Sequence, residues 1–132
     1  MAKTAANRKA FINSLLQFMQ TYGFDGVDLD WEYPGADDRG GIEEDTANFV
    51  TLLQEMRETW GSRFGISATV PSSYWYLRWF DVEAMQNYLD WFNIMSYDIH
   101  GVWDKPNKVT GPYVRLIFVV QNTRRFPIAD SL

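Results

Sequence analysis

The sequence predicts an α/β fold on a parallel sheet, and three observations carry that prediction. Helical and strand-like segments alternate along the chain in the order helix, strand, helix, strand, helix, strand, the rhythm of βα units. Glycine or proline stands where successive segments should stop, at Gly23, Pro34, Gly61 and Pro71. The 132 residues are 46% hydrophobic, enough for one small core. On the residues alone, an open doubly wound sheet and a (β/α)8 barrel both fit this order.

From Thr4 to Tyr22, Phe11, Ile12, Leu15, Leu16, Met19 and Tyr22 recur at helical steps. Thr4 can cap the start of that helix and Gly23 its end. Phe24 to Pro34 alternates strictly and carries β-branched and aromatic residues, so it reads as a strand ended by Pro34. Pro34 to Gly41 is a Gly- and Asp-rich loop. A second helix runs from about Glu43 to Trp60, with Phe49, Leu52, Leu53, Met56 and Trp60 as its stripe. Glu43, Glu44 and Asp45 complement its N-terminal dipole, and Gly61 stops it. Gly65 to Val70 is a short strand closed by Pro71, Phe80 to Tyr88 a short helical crossover, and Trp91 to Tyr97 a buried strand.

Composition removes several function classes. The net charge is −5, from 12 basic and 17 acidic residues without a basic tract, which argues against nucleic acid and is compatible with an uncharged polymer. The apolar runs are too short to span a membrane. Met1 to Ala6 lacks the apolar centre of a secretory signal. With no cysteine there is no disulfide framework, and the redox compartment stays open. Six Trp, seven Tyr and nine Phe supply core and, where exposed, surfaces that stack on sugar rings.

The chemistry concentrates in Asp25, Asp28, Asp30 and Glu32. On a strand, Asp28, Asp30 and Glu32 share one face, about 7 Å apart in sequence, while Val27, Leu29 and Trp31 take the other. Three such acids resist ionising together, so at least one should hold a proton near neutral pH, as a general acid must. Surface acids rarely alternate with Val, Leu and Trp. A Mg²⁺ or Ca²⁺ site is the weaker reading, because one strand sets acids in a line rather than around an ion.

The spacing D-x-x-D-x-D-x-E from Asp25 to Glu32 resembles the active-site signature of family-eighteen glycoside hydrolases, the chitinases and their relatives, and looks most like the fungal chitinases. Further similar stretches are Ala36 to Gly41, Ser73 to Leu77, and Met95-Ser96-Tyr97-Asp98 with Trp103-Asp104 following. The resemblance covers about Asn7 to Pro112. It implies a fragment of a (β/α)8 TIM barrel, with the three strands as the fourth to sixth and the barrel not closed. Residues 1–113 are then a partial catalytic barrel and residues 114–132 a divergent tail in which Leu116 to Val120 suits a strand.

The resemblance also implies roles. Glu32 is the acid that protonates the glycosidic oxygen and later acts as base, and no enzyme carboxylate attacks the sugar. The substrate's own 2-acetamido oxygen does so, giving an oxazolinium intermediate and retention. Asp30 orients that group, Asp28 shares a proton with Asp30, and Tyr97 hydrogen-bonds the acetamido oxygen. Asp98, Met95, Trp103 and Tyr33 bind the sugars, Met95 on the pocket floor and Trp103 by stacking. Asp25 is structural, Trp31 packs on a helix, some of Tyr74, Trp75 and Tyr76 reach the cleft, and His100 is a loop residue.

No cofactor or metal is implied. The implied partner is chitin or N-acetylglucosamine oligomers, and a complete parent is expected outside the cell. The alternative is a non-catalytic chitin-binding protein or an inactive fragment. Glu32 speaks for the hydrolase lineage, since inert relatives usually lack that acid. Three strands leave both edges unpaired, so the isolated chain is expected to be unstable or to self-associate, with little turnover of its own.

Overall fold

The computed structural model describes residues 1–98. Their elements are α1 (Ala5–Tyr22), β1 (Gly26–Asp30), a 3-10 turn (Asp37–Arg39), α2 (Asp45–Trp60), β2 (Gly65–Pro71), the short helices α3 (Tyr74–Leu77) and α4 (Val82–Met85), and β3 (Trp91–Met95). Among the described residues the strands form one three-stranded sheet in the order β1-β2-β3. Both pairings are parallel, with Asp30 opposite Thr69 and Thr69 opposite Asn93. The sheet does not close within these residues. Positions 99 to 132, with Trp103, His100, Leu116 to Val120 and the 114–132 boundary, lie outside the described part.

The helix ends obey local chemistry. Thr4 accepts the Asn7 N–H at 3.2 Å, and Gly23, at φ 73°, donates back to the Met19 carbonyl in the left-handed conformation that glycine adopts freely. Ile12 and Met19 are buried, and Phe11, Leu15 and Leu16 pack against the core. Tyr22 does not join that stripe. It is the last residue of α1, is 68% exposed and lies against Phe18 at 4.7 Å. In α2 the expected stripe of Phe49, Leu52, Leu53, Met56 and Trp60 is wholly buried.

One face of the sheet meets these helices. Leu29, Ile66, Ala68, Val70 and Phe92 join Met19, Phe49, Leu53 and Met56 in a single cluster. Trp31 meets Phe49 edge-on at 5.3 Å, so it packs on α2 as expected. Two ion pairs lace the periphery. Arg8 grips Glu55 through Nε at 3.0 Å and Nη2 at 2.8 Å, tying α1 to α2. Arg57 reaches Asp90 at 2.9 Å, and the same carboxylate oxygen accepts the Ile66 N–H, which ties α2 to the β2–β3 crossover. Gly26 is required by close approach, since a Cβ there would sit 2.5 Å from the Gly65 carbonyl oxygen.

Four segments differ from expectation, the first being β1, which ends at Asp30 and not at Pro34. The helical crossover over Phe80 to Tyr88 contracts to Val82–Met85, started by the Asp81 side chain accepting from Ala84. An extra helical turn, α3, forms at Tyr74–Leu77, where aromatic content hides helical propensity and Ser73 supplies the cap. The strand from Trp91 stops at Met95 instead of Tyr97, because the Ser96 N–H turns to the Ile94 carbonyl at 2.8 Å.

Candidate active site

The helix-free face of the sheet carries the acids. β1 ends at Asp30 and Glu32 follows within two residues, so the alternation delivers Asp28, Asp30 and Glu32 to the exposed side while Leu29 is buried and Val27 and Trp31 are half-buried. Asp25 is exposed before the strand, and its carbonyl accepts the Gly65 N–H at 2.8 Å, a backbone role.

Asp28 is held from three directions. One oxygen accepts from Ser67 Oγ at 2.6 Å and Asn93 Nδ2 at 2.8 Å, and the other from Thr69 Oγ1 at 2.6 Å. Hydrogen bonds from β2 and β3 therefore converge on one carboxylate of β1, a polar network across the whole sheet. Sequence reasoning missed Ser67, Thr69 and Asn93. The signal was available for the first two, which alternate onto one face of a strand, but their convergence depends on register.

Asp30 has its pKa raised above the ordinary aspartate value, first by burial, then by the charges of Glu32 and Asp28. The direction is the one that neighbouring carboxylates give one another, and it has a stability consequence. A carboxyl whose folded pKa is raised stabilises the fold while protonated, below its unfolded value, and that contribution is lost as pH rises through the folded value. Asp30→Asn should therefore melt higher than the parent at pH 7, with the difference shrinking towards pH 4. Thermal melts at the two pH values test this; a variant that melts lower at pH 7 contradicts it.

Beyond the C-terminal ends of the strands lies a cleft of about 240 Å³ lined by Glu32, Tyr33, Pro71, Ser72, Ser73, Tyr76, Met95, Tyr97 and Asp98. Of the sequence-predicted residues, Glu32, Tyr33, Met95, Tyr97 and Asp98 meet there. Asp28 and Asp30 lie on the strand below, and Trp103 is outside the described residues. Tyr97 is 61% exposed, so its hydroxyl is not a buried, satisfied core group. Asp98 has φ 53°, a left-handed conformation that aspartate tolerates better than most residues. Of the aromatic cluster, Tyr76 reaches the cleft, and Tyr74 and Trp75 are 78% and 58% exposed.

Tyr33 is the second perturbed group. Burial pushes its phenol up to about 12, aided by a hydrogen bond to Glu32 and by the Glu32 charge, while Arg39 pulls it down. The Glu32–Tyr33 peptide is cis. Among the described residues no three His, Cys, Asp or Glu side chains are grouped as a metal site, and no helix is long and apolar enough to cross a membrane. The arrangement is a carboxyl row ending in an open cleft with phenols and carboxylates around it. It can donate and take back a proton at Glu32 and can hydrogen-bond a polar ligand from several sides.

Comparison with known proteins follows the same lines. The family described as Glycosyl hydrolases family 18 matches residues 1–130. An endochitinase of Manduca sexta is 39% identical over 107 residues, which is 78% of this chain and 19% of that protein. The killer toxin subunits alpha/beta of Kluyveromyces lactis are 44% identical over 106 residues, 77% of this chain and 9% of that protein. The crystal structure of the Ostrinia furnacalis Group IV chitinase in complex with allosamidin superposes with a TM-score of 0.73 at 35% identity, over 79% of this chain and 28% of that one. The chain thus spans less than a third of each of these relatives. With the family matched over residues 1–130 and Glu32, just past β1, meeting Tyr97 and Asp98 at the strand ends, this chain belongs to family 18 of the glycosyl hydrolases.

Proposed function

We propose that the chain carries the acid–base core of a chitinase-type hydrolase, one that cleaves β-1,4 links between N-acetylglucosamine units with retention. Its sheet is then a segment of a (β/α)8 barrel, and the acid-bearing face is the barrel interior, with the site at the C-terminal strand ends. The observation that carries the reading is the meeting of Glu32, Met95, Tyr97 and Asp98 in one cleft beside Asp30. The Manduca sexta endochitinase and the allosamidin complex of the Ostrinia furnacalis enzyme support the substrate class.

In this reading Glu32 protonates the glycosidic oxygen as the bond to the anomeric carbon breaks. The acetamido oxygen of the same sugar closes on that carbon, forming an oxazolinium ion. Asp30 accepts a hydrogen bond from the acetamido N–H and offsets the developing positive charge, which its neighbouring acids make easier to bind. Tyr97 donates to the acetamido oxygen, and Asp98, Met95, Tyr33 and Trp103 hold the sugars. Water, deprotonated by Glu32, then opens the ring on the face it left. Asp28 anchors the row. Its Oδ1 accepts twice and its Oδ2 once, so Oδ2 keeps a lone pair through which a proton can be shared with Asp30.

The test follows product stereochemistry by proton NMR on N-acetylglucosamine oligomers, with allosamidin as inhibitor and deacetylated oligomers as control. The expected outcome is β-anomer first, inhibition, and no turnover of the deacetylated chain. Initial α-anomer, or equal cleavage of the deacetylated oligomer, overturns the substrate-assisted reading.

A further inference from the structure

The loop after the candidate acid is more than a connection. Asp45, at the first turn of α2 and 9% exposed, accepts the Ile42 N–H at 2.9 Å and the Gly35 N–H at 3.4 Å through one oxygen. Gly41 donates to the Ala36 carbonyl at 2.8 Å, and Thr46 Oγ1 donates to the Trp79 carbonyl at 2.8 Å. Gly35 lies flat on the Trp79 indole, where a Cβ would stand 2.6 Å from the ring, and its φ of 67° also demands glycine. The loop is therefore pinned at both ends to α2 and to the segment after α3.

That pinning presents two charged side chains to the cleft rim. Asp38 Oδ2 accepts the Tyr76 hydroxyl at 2.8 Å. The Tyr76 ring stacks on Tyr33, centroids 4.1 Å apart and planes 20° from parallel. The Arg39 guanidinium sits over both rings, 5.9 Å from Tyr33 and 6.0 Å from Tyr76, and 3.6 Å from Asp38. Tyr33 in turn directly follows Glu32 in the chain, and both line the cleft.

We propose that Asp38 is a positioning residue: by holding the Tyr76 hydroxyl it locks the Tyr76–Tyr33 stack, and the locked Tyr33 fixes its chain neighbour Glu32 in register with the cleft. The ion-pair geometry of Arg39 completes the clamp by drawing both rings and Asp38 together. The catalytic consequence rests on the hydrolase reading; the clamp itself does not.

Burial first of all holds the Tyr33 phenol neutral; of the charged and titratable groups around it, Glu32 and Tyr76 add to that and Arg39 opposes it. The experiment uses the whole 132-residue chain with tyrosine labelled at Cζ, the Tyr33 resonance being assigned by its loss in Tyr33→Phe. In the parent, Tyr33 should remain neutral at pH 11. In Asp38→Ala and Tyr76→Phe it should ionise nearer the ordinary tyrosine value of about 10, and in Asp38→Asn, which keeps an oxygen acceptor, it should not. Hydrolysis is measured in parallel. Asp38→Ala should lose kcat by roughly ten- to a hundredfold with KM little changed, the scale of a misplaced reacting group.

Tyr33 ionisation unmoved in both Asp38→Ala and Tyr76→Phe overturns the clamp, whatever the activity. A moved ionisation with unchanged kcat overturns its positioning of Glu32. A moved ionisation in a chain with no parent turnover supports the clamp as a structural device on its own.

Discussion

Glu32→Gln should reduce the turnover of N-acetylglucosamine oligomers by about 10²–10⁴-fold, the contribution of a positioned general acid. Gln keeps the length and shape of the side chain, so the cleft with Tyr33, Met95, Tyr97 and Asp98 stays lined as before. What it loses is a proton that can leave. The leaving oxygen then departs as an alkoxide, and the acetamido oxygen has no partner reaction to drive. Loss confined to kcat, with oligomer affinity by calorimetry within a fewfold of the parent, is the pattern of an interaction made only in the transition state. A variant with a third or more of the parent rate would remove Glu32 from the acid role and leave the lectin-like alternative in possession of the site.

Phe49→Ala should be the most damaging single core substitution tested, at about 3–5 kcal/mol of unfolding free energy. Phe49 is 2% exposed and joins three layers, meeting Trp31 after β1 at 5.3 Å and Phe80 after α3 at 6.0 Å, both edge-on. Each such aromatic pair adds about 0.5–1.5 kcal/mol to the area it buries. Domains of this size hold only about 5–15 kcal/mol in total, so the variant should lie near its unfolding limit at room temperature. Urea titration followed by tryptophan fluorescence measures it, with Phe18→Ala as control. Phe18 is 51% exposed, and its loss should be several times smaller. Equal midpoints for the two variants would mean that Phe49 is not where the core closes. Because Trp31 immediately precedes Glu32, the same cavity should also loosen the site.

How much of this was legible in the chain depends on the range over which each feature is decided. The strand at Gly26–Asp30, the helices capped by Thr4 and ended by Gly23 and Gly61, and the outward turn of Asp28, Asp30 and Glu32 depend on neighbours a few residues away. Alternation and helical repeat record such features directly. The three hydrogen bonds on Asp28 come from residues 39, 41 and 65 positions away, and the Asp38–Tyr76 bond spans 38. No local pattern encodes them. The family resemblance brought Tyr97, Asp98 and Met95 to the same place as Glu32, but it did not distinguish Tyr76 from Tyr74 and Trp75.

By itself, then, the sequence determined which residues face away from the helices and which acid stands last in the row, since a pleated backbone turns alternate side chains to opposite sides whatever it pairs with. Tertiary structure alone decided what those acids meet. Parallel register set Thr69 and Asn93 level with Asp30, and the pinned loop carried Asp38 onto Tyr76. Pairing and packing are chosen by burial summed over the whole core, and a sum of that kind is not written at any one position.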